Sequence, residues 1–264
     1  MTRPSSSAKT WPFRSLLFTP GHKLDWIKKA TRFQPDGIII DLEDSVPPAE
    51  KQAARNTARA GVDYLRATDT GIFVRINPLA NGGTEDVLAV MAPGLTAICL
   101  PKLNDADQVR ELSELLAYAE GKSGIERGSV DIVAIPETAN ALVNVRDIAR
   151  SSKRVKSFMT GLIDRASDEV VFAGDTALAA GFIPTRGGLE QIYITSMVCL
   201  DSRAGGAAFP VGTILGTDLA DPEAARRLAM KIKAIGFTGC VLIHPSHVAI
   251  ANEIFSESGI RVAD

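Results

Sequence analysis

Cysteine is scarce in this chain of 264 residues, with only Cys99, Cys199 and Cys240. Three is an odd number, each sits in apolar surroundings, and none shows a paired spacing, which argues against a disulfide framework and a zinc knuckle. They are expected to be reduced core residues. Long apolar runs are missing as well: none approaches the roughly 18 residues that a membrane helix needs. No charge sign dominates, since 29 Lys and Arg stand against 31 Asp and Glu. Nucleic-acid and membrane-surface proteins normally carry a basic excess, so neither partner is expected. The opening Met1 to Trp11 lacks the apolar segment of a secretory signal. Residues 1–12 therefore read as a disordered lead-in to a cytoplasmic protein, with residues 13–255 as the folded domain and 256–264 as a tail.

What the chain does have is a repeated alternation. Short runs rich in Val, Ile, Leu and Phe recur with longer amphipathic segments between them, as buried parallel strands with covering helices should read. Eight such runs occur: Ser15–Thr19, Gly37–Asp41, Gly71–Ile76, Thr96–Leu100, Asp131–Ile135, Ser157–Thr160, Ala207–Val211 and Gly239–His244. Pro48 to Leu65 opens on Pro-Ala-Glu, a favourable first helical turn, and Asp105 to Tyr118 opens on an Asp cap. Asp221-Pro222-Glu223 starts another helix, which Gly236 ends by supplying a left-handed stop. Pro184 to Gly188 divides the long stretch from Asp168 to Gly206 into two helical segments. Eight strands alternating with helices over a length near the ~250 residues typical of the fold predict a single-domain (β/α)8 TIM barrel.

In such a barrel the strand ends open onto one face, where side chains from separate strands converge on a substrate. The second run leads into Asp41-Leu42-Glu43-Asp44, three acids just before a helix. They could stabilise the helix start, or Asp41 and Glu43 could orient a metal-bound water or a neighbouring cation. Arg75 lies between apolar neighbours that offer it no partner, and a buried unpaired guanidinium is costly. It should face the barrel mouth and meet a protein acid or the carboxylate of a ligand. Glu137 and Asp164 stand just past the fifth and sixth runs. Two such oxygen ligands, with the remaining positions left to water and substrate, would suit Mg2+; the alternative is that both cap helices. Lys102 could form a Schiff base or be an exposed loop lysine. His244 could act as an acid or base or be structural.

The stretches Arg14-Ser15-Leu16-Leu17-Phe18, Asp41 to Pro47, Val74-Arg75-Ile76-Asn77-Pro78, Leu100-Pro101-Lys102, Ile135-Pro136-Glu137-Thr138 and Ile243-His244-Pro245 together resemble the citrate lyase beta subunit and malyl-CoA lyase family, within the HpcH/HpaI aldolase superfamily. The resemblance implies a homotrimer or hexamer that cleaves or forms a carbon–carbon bond in a 3-hydroxyacyl-CoA of the citryl, malyl or citramalyl type. The partners so implied are a 2-oxoacid, such as oxaloacetate, glyoxylate or pyruvate, and a CoA thioester. It also implies that Glu137 and Asp164 are magnesium ligands and that Arg75 binds the 2-oxoacid and stabilises developing charge. Arg14 and Lys23 fall where the family approaches the CoA phosphates.

Three departures accompany the resemblance. Ile163 precedes Asp164 where the family often has an acid or amide, and Thr195 stands where relatives tend to carry arginine. The longer malyl-CoA lyases extend into a C-terminal lid bearing a catalytic aspartate, which this chain is expected to lack. A pyruvate-type aldolase acting on free aldehydes, and a non-catalytic 2-oxoacid-binding subunit, remain the rival readings.

Overall fold

The computed structural model describes residues 10–163, 174–185, 187–215 and 221–256. Eight strands close a barrel in sequence order: β1 (Ser15–Pro20), β2 (Gly37–Asp41), β3 (Gly71–Arg75), β4 (Leu95–Leu103), β5 (Asp131–Pro136), β6 (Val155–Ile163), β7 (Val211–Leu215) and β8 (Gly239–Leu242). Every neighbouring pair is parallel, and β8 returns to β1 with Cys240 opposite Ser15 and Leu242 opposite Leu17. This is the (β/α)8 barrel the alternation predicts, as one domain.

The covering helices are α1 (Leu24–Ala30), α2 (Lys51–Leu65), α3 (Gly83–Val90), α4 (Ala106–Lys122), α5 (Ala139–Val143), α6 (Val145–Arg150), α7 (Asp175–Ala180), α8 (Leu189–Gly205), α9 (Pro222–Ile235) and α10 (Val248–Ser256). Asp105 caps α4 by accepting the N–H groups of Asp107 and Gln108, and Asp221 caps α9 through Ala224. Gly236 ends α9 at φ +117°, a conformation that costs glycine least. The crossover from β6 to β7 is split between α7 and α8, as the Pro-Gly segment suggests. None of the described helices is long and apolar enough to cross a membrane.

Strand side chains alternate between two cores. Leu16, Ile39, Phe73, Val133, Met159, Val211 and Val241 fill the barrel interior. Ile38, Ile40, Val74, Ile98 and Ile132 point outward and pack with helix residues such as Ala54, Ala58 and Val62. The three cysteines are free and buried.

Two expectations need correction. The seventh strand is Val211–Leu215, not Ala207–Val211. Pro210 has no N–H to give to a ladder, so the apolar Ala-Ala-Phe before it stays outside the sheet. Phe209 stacks on Trp11 instead, with ring centroids 5.7 Å apart. The lead-in also ends earlier than residue 12. Trp11 lies edge-on to Phe13 at 5.0 Å and to Phe73 at 5.7 Å. Its indole N–H donates to Asp131 at 2.9 Å, so this aromatic group closes the N-terminal end of the barrel.

Candidate active site

Asp41, Arg75 and Glu137 each lie two residues beyond an interior core residue, respectively Ile39, Phe73 and Ile135. Period-two alternation therefore turns all three inward at the C-terminal mouth. They line one cavity of about 790 Å³.

Arg75 is gripped from below. Its Nε and Nη2 donate to the two Asp41 oxygens at 2.7 and 2.8 Å, and its guanidinium lies 4.8 Å over the Phe18 ring. Nη1 faces Glu43 at 3.1 Å and Asp44 at 3.3 Å. Asp41 also accepts the N–H groups of Glu43 and Ser45, which folds the acidic segment back over the strand end. Burial works to raise the Asp41 carboxyl, yet the Arg75 hydrogen bonds and charge hold it below the ordinary range. Burial likewise works against the Arg75 charge, and Asp41 more than offsets it, so the guanidinium stays ionised.

Glu43 is 4% exposed and sits between Arg75 and Lys102, whose Nζ is 3.1 Å from it. Burial raises its carboxyl, against the opposing charge of Arg75. Lys102 has a left-handed backbone, φ +50°, which is strained for a residue bearing a side chain. Its N–H donates to Glu137 at 2.8 Å while its ammonium pairs with Glu43 and, at 3.7 Å, with Asp44. The Glu43 contact raises the Lys102 ammonium, keeping it protonated, which disfavours a Schiff-base role.

Glu137 has no basic side chain paired with it among the described residues. Burial, helped by the negative charges of Glu43 and Asp175, pushes its carboxyl up to about 7. A carboxylate held inward without a cation is a suitable ligand for a hard dication that takes one or two carboxylates and fills its shell with water and substrate. No cluster of three ligating side chains occurs among the described residues. Asp164, the second predicted ligand, lies outside them.

The structure thus brings Asp41, Glu43, Arg75 and Glu137 together, and it separates Arg14 from them. Arg14 precedes β1 and so lies at the N-terminal rim, about 20 Å away at ~3.3 Å per strand residue. There it holds Asp36 through Nε at 2.8 Å and Nη2 at 2.7 Å. A residue in that place cannot reach a ligand at the mouth, and the expectation for Arg14 is corrected accordingly. Lys23 is exposed in the turn after β1 and does not line the cavity. Lys29 does, together with Trp26 and Phe33 near α1 and Ile243 after β8. His244 also lines it, with Nδ1 2.7 Å from the Ser246 hydroxyl. Thr195 is turned inward within α8, where its hydroxyl donates to the Gln191 carbonyl at 2.8 Å. Asp175 is a cavity residue that sequence reading did not single out. The Gly174-Asp175 step at the start of a helix was its one visible sign.

The family model described as HpcH/HpaI aldolase/citrate lyase matches residues 14–245. A citrate lyase subunit beta-like protein of Deinococcus radiodurans is 36% identical over 247 residues, covering 92% of this chain and 79% of that protein. An L-malyl-CoA/beta-methylmalyl-CoA lyase of Rhodobacter capsulatus is 28% identical over 273 residues, covering 100% of this chain and 84% of that one. The solved structure of a citrate lyase beta subunit from M. tuberculosis, complexed with oxaloacetate and magnesium, has a TM-score of 0.71 and 26% identity, covering 93% of this chain and 97% of that chain.

Proposed function

The chain belongs to the HpcH/HpaI aldolase/citrate lyase family, and from that premise we propose that it is a magnesium-dependent lyase that splits, or forms, a 3-hydroxyacyl-CoA from a 2-oxoacid and an acyl-CoA. Its relatives include lyases of CoA thioesters, and an oxaloacetate–magnesium complex is known for one of them. The observation that carries the reading is Glu137: a carboxylate pushed up to about 7, without a basic partner among the described residues, in the same cavity as Arg75.

Glu137 would hold the metal together with Asp164. Magnesium, when bound, supplies Lewis-acid polarisation of the ligand oxygen at which charge develops. Arg75 offers Nη1 to the carboxylate of the 2-oxoacid, since Nε and one N–H of Nη2 are committed to Asp41. Asp44, whose side chain is 58% exposed, is the Arg75 partner a ligand can displace most easily. Asp41 is a positioning residue: two hydrogen bonds fix the plane of the guanidinium, which limits reorganisation when the ligand arrives. The lobe formed by Trp26, Phe33 and Ile243, with Lys29 on it, suits the acyl-CoA, because it offers apolar surface beside a cation.

The test is turnover. Acetyl-CoA with oxaloacetate or glyoxylate, and then pyruvate with free aldehydes, should be supplied with Mg2+. Product in the first set is the expected result, and product confined to the second would refute the CoA assignment.

A further inference from the structure

Part of the cavity wall comes from the crossover between β6 and β7, through Asp175 and Ala177 of α7, Phe182 after it, and Gln191 of α8. Asp175 follows Gly174, which is buried and has φ +73°, ψ 151°, a conformation that favours glycine. That bend sets the direction of α7 and leaves the first side chain of the helix lining the cavity.

The carboxylates at the mouth differ in what they already hold. Asp41 is bound through both oxygens to Arg75. Glu43 lies between Arg75 and Lys102, and Asp44 is paired with the same two cations. Glu137 accepts the Lys102 N–H and is the acid assigned to the metal. Among the described residues Asp175 alone of these has neither a hydrogen bond nor an ion pair. It lines the same cavity as Glu137 and Arg75, and its negative charge adds to the raised values of Glu137 and Lys102.

Cleavage of a 3-hydroxyacyl-CoA requires a base for the substrate hydroxyl. Resting on the lyase reading above, we propose that Asp175 is the catalytic residue that takes this proton. The hydroxyl proton passes to the Asp175 carboxylate as the oxygen forms the ketone or aldehyde of the 2-oxoacid. The pair of the breaking carbon–carbon bond moves onto the α-carbon of the thioester as an enolate. Return of the proton from Asp175 to that carbon gives the acyl-CoA and restores the carboxylate, so no further reactant is consumed. A free carboxylate suits this exchange; one locked to arginine would release its cation's charge into a buried site on protonation.

The experiment compares wild type with Asp175→Asn on citryl-, malyl- and citramalyl-CoA, alongside calorimetric binding of oxaloacetate with Mg2+. The expected result is a fall in kcat of ~10²- to 10⁴-fold with oxaloacetate affinity kept within about threefold. Asp175→Ala assayed with added formate is the second variant, and turnover restored by the small carboxylate is expected. An Asp175→Asn enzyme within about threefold of wild-type kcat would overturn the assignment alone. So would a loss of oxaloacetate binding equal to the loss in kcat, because Asp175 would then be a binding group. A wild type that binds oxaloacetate but cleaves none of the three thioesters would overturn the lyase reading, and this assignment with it.

Discussion

Replacing Glu137 with glutamine should make the metal-free protein more stable at neutral and alkaline pH. Burial pushes the Glu137 carboxyl from an ordinary value near 4.5 to about 7. Each tenfold change in proton affinity corresponds to ~1.4 kcal/mol, so keeping this group ionised in the fold costs roughly 3 kcal/mol. The cavity is open to water and Glu137 is only part-buried, which brings the measurable effect down to about 1–3 kcal/mol. The sign follows from the raised value. Below the unfolded value both states are protonated and the cost is absent. It grows as pH rises from about 4.5 and is complete above about 7. Glutamine keeps an oxygen for the Lys102 N–H and removes only the charge. Urea unfolding in chelator should therefore show Glu137→Gln ahead of wild type at pH 8, with the difference closing by about pH 5. Added Mg2+ should stabilise wild type by mass action and leave the variant unmoved. A variant no more stable than wild type at pH 8, or one that gains equally from Mg2+, would refute both the desolvation reasoning and the metal assignment.

Four further substitutions separate the roles at the two ends of the barrel. Asp41→Asn leaves Arg75 with only Glu43 and Asp44, and should destabilise by ~3 kcal/mol in urea, the low end for breaking a buried pair because two acids remain; it should also lower kcat/KM. Asp41 lies below the ordinary carboxylate range, so its stabilisation should persist at neutral pH and disappear as acid titrates it, visible as a smaller wild-type advantage at low pH. Arg14→Ala should cost about 1 kcal/mol for a partly exposed pair and leave the KM for acyl-CoA unchanged, since its guanidinium is engaged by Asp36 at the far rim. Trp26→Ala and Lys29→Ala should raise that KM several-fold while leaving the calorimetric affinity for oxaloacetate unaltered.

The barrel was legible because parallel strands buried on both faces must be apolar almost throughout, as in Gly37–Asp41, where every residue is buried. The seventh strand was misplaced because Ala207 to Phe209 are apolar for a different reason, with Phe209 turned to the Trp11 cluster. Trp11 itself sits beside a polar, serine-rich stretch that concealed an anchor. The position of Arg14 could have been read correctly. A residue just before a parallel strand lies at the end opposite the site, whereas Arg75, the last residue of its strand, lies at the mouth. What no spacing reveals is the Arg75–Asp41 pairing, which joins residues 34 apart through the register of β2 on β3.

Charge accounts for why such a mouth should take a cation before an anion. Asp41, Glu43, Asp44, Glu137 and Asp175 outnumber the cations set among them, Arg75 and Lys102 at ion-pair distance and Lys51 behind the acidic segment, five acids to three bases. The fold relieves part of that imbalance by raising two of the acids, Glu43 and Glu137. A 2-oxoacid entering alone would meet further repulsion from the acids Arg75 already holds. A dication held beside Glu137 would reverse the local sign there and lower that carboxyl again, since an opposite charge favours its ionised form. Arg75 would keep Asp41 and Glu43, and the exposed Asp44 would be the partner that an incoming carboxylate displaces from Nη1. The strained Lys102 backbone belongs to the same arrangement, because one residue holds Glu137 with its N–H and restrains Glu43 with its ammonium.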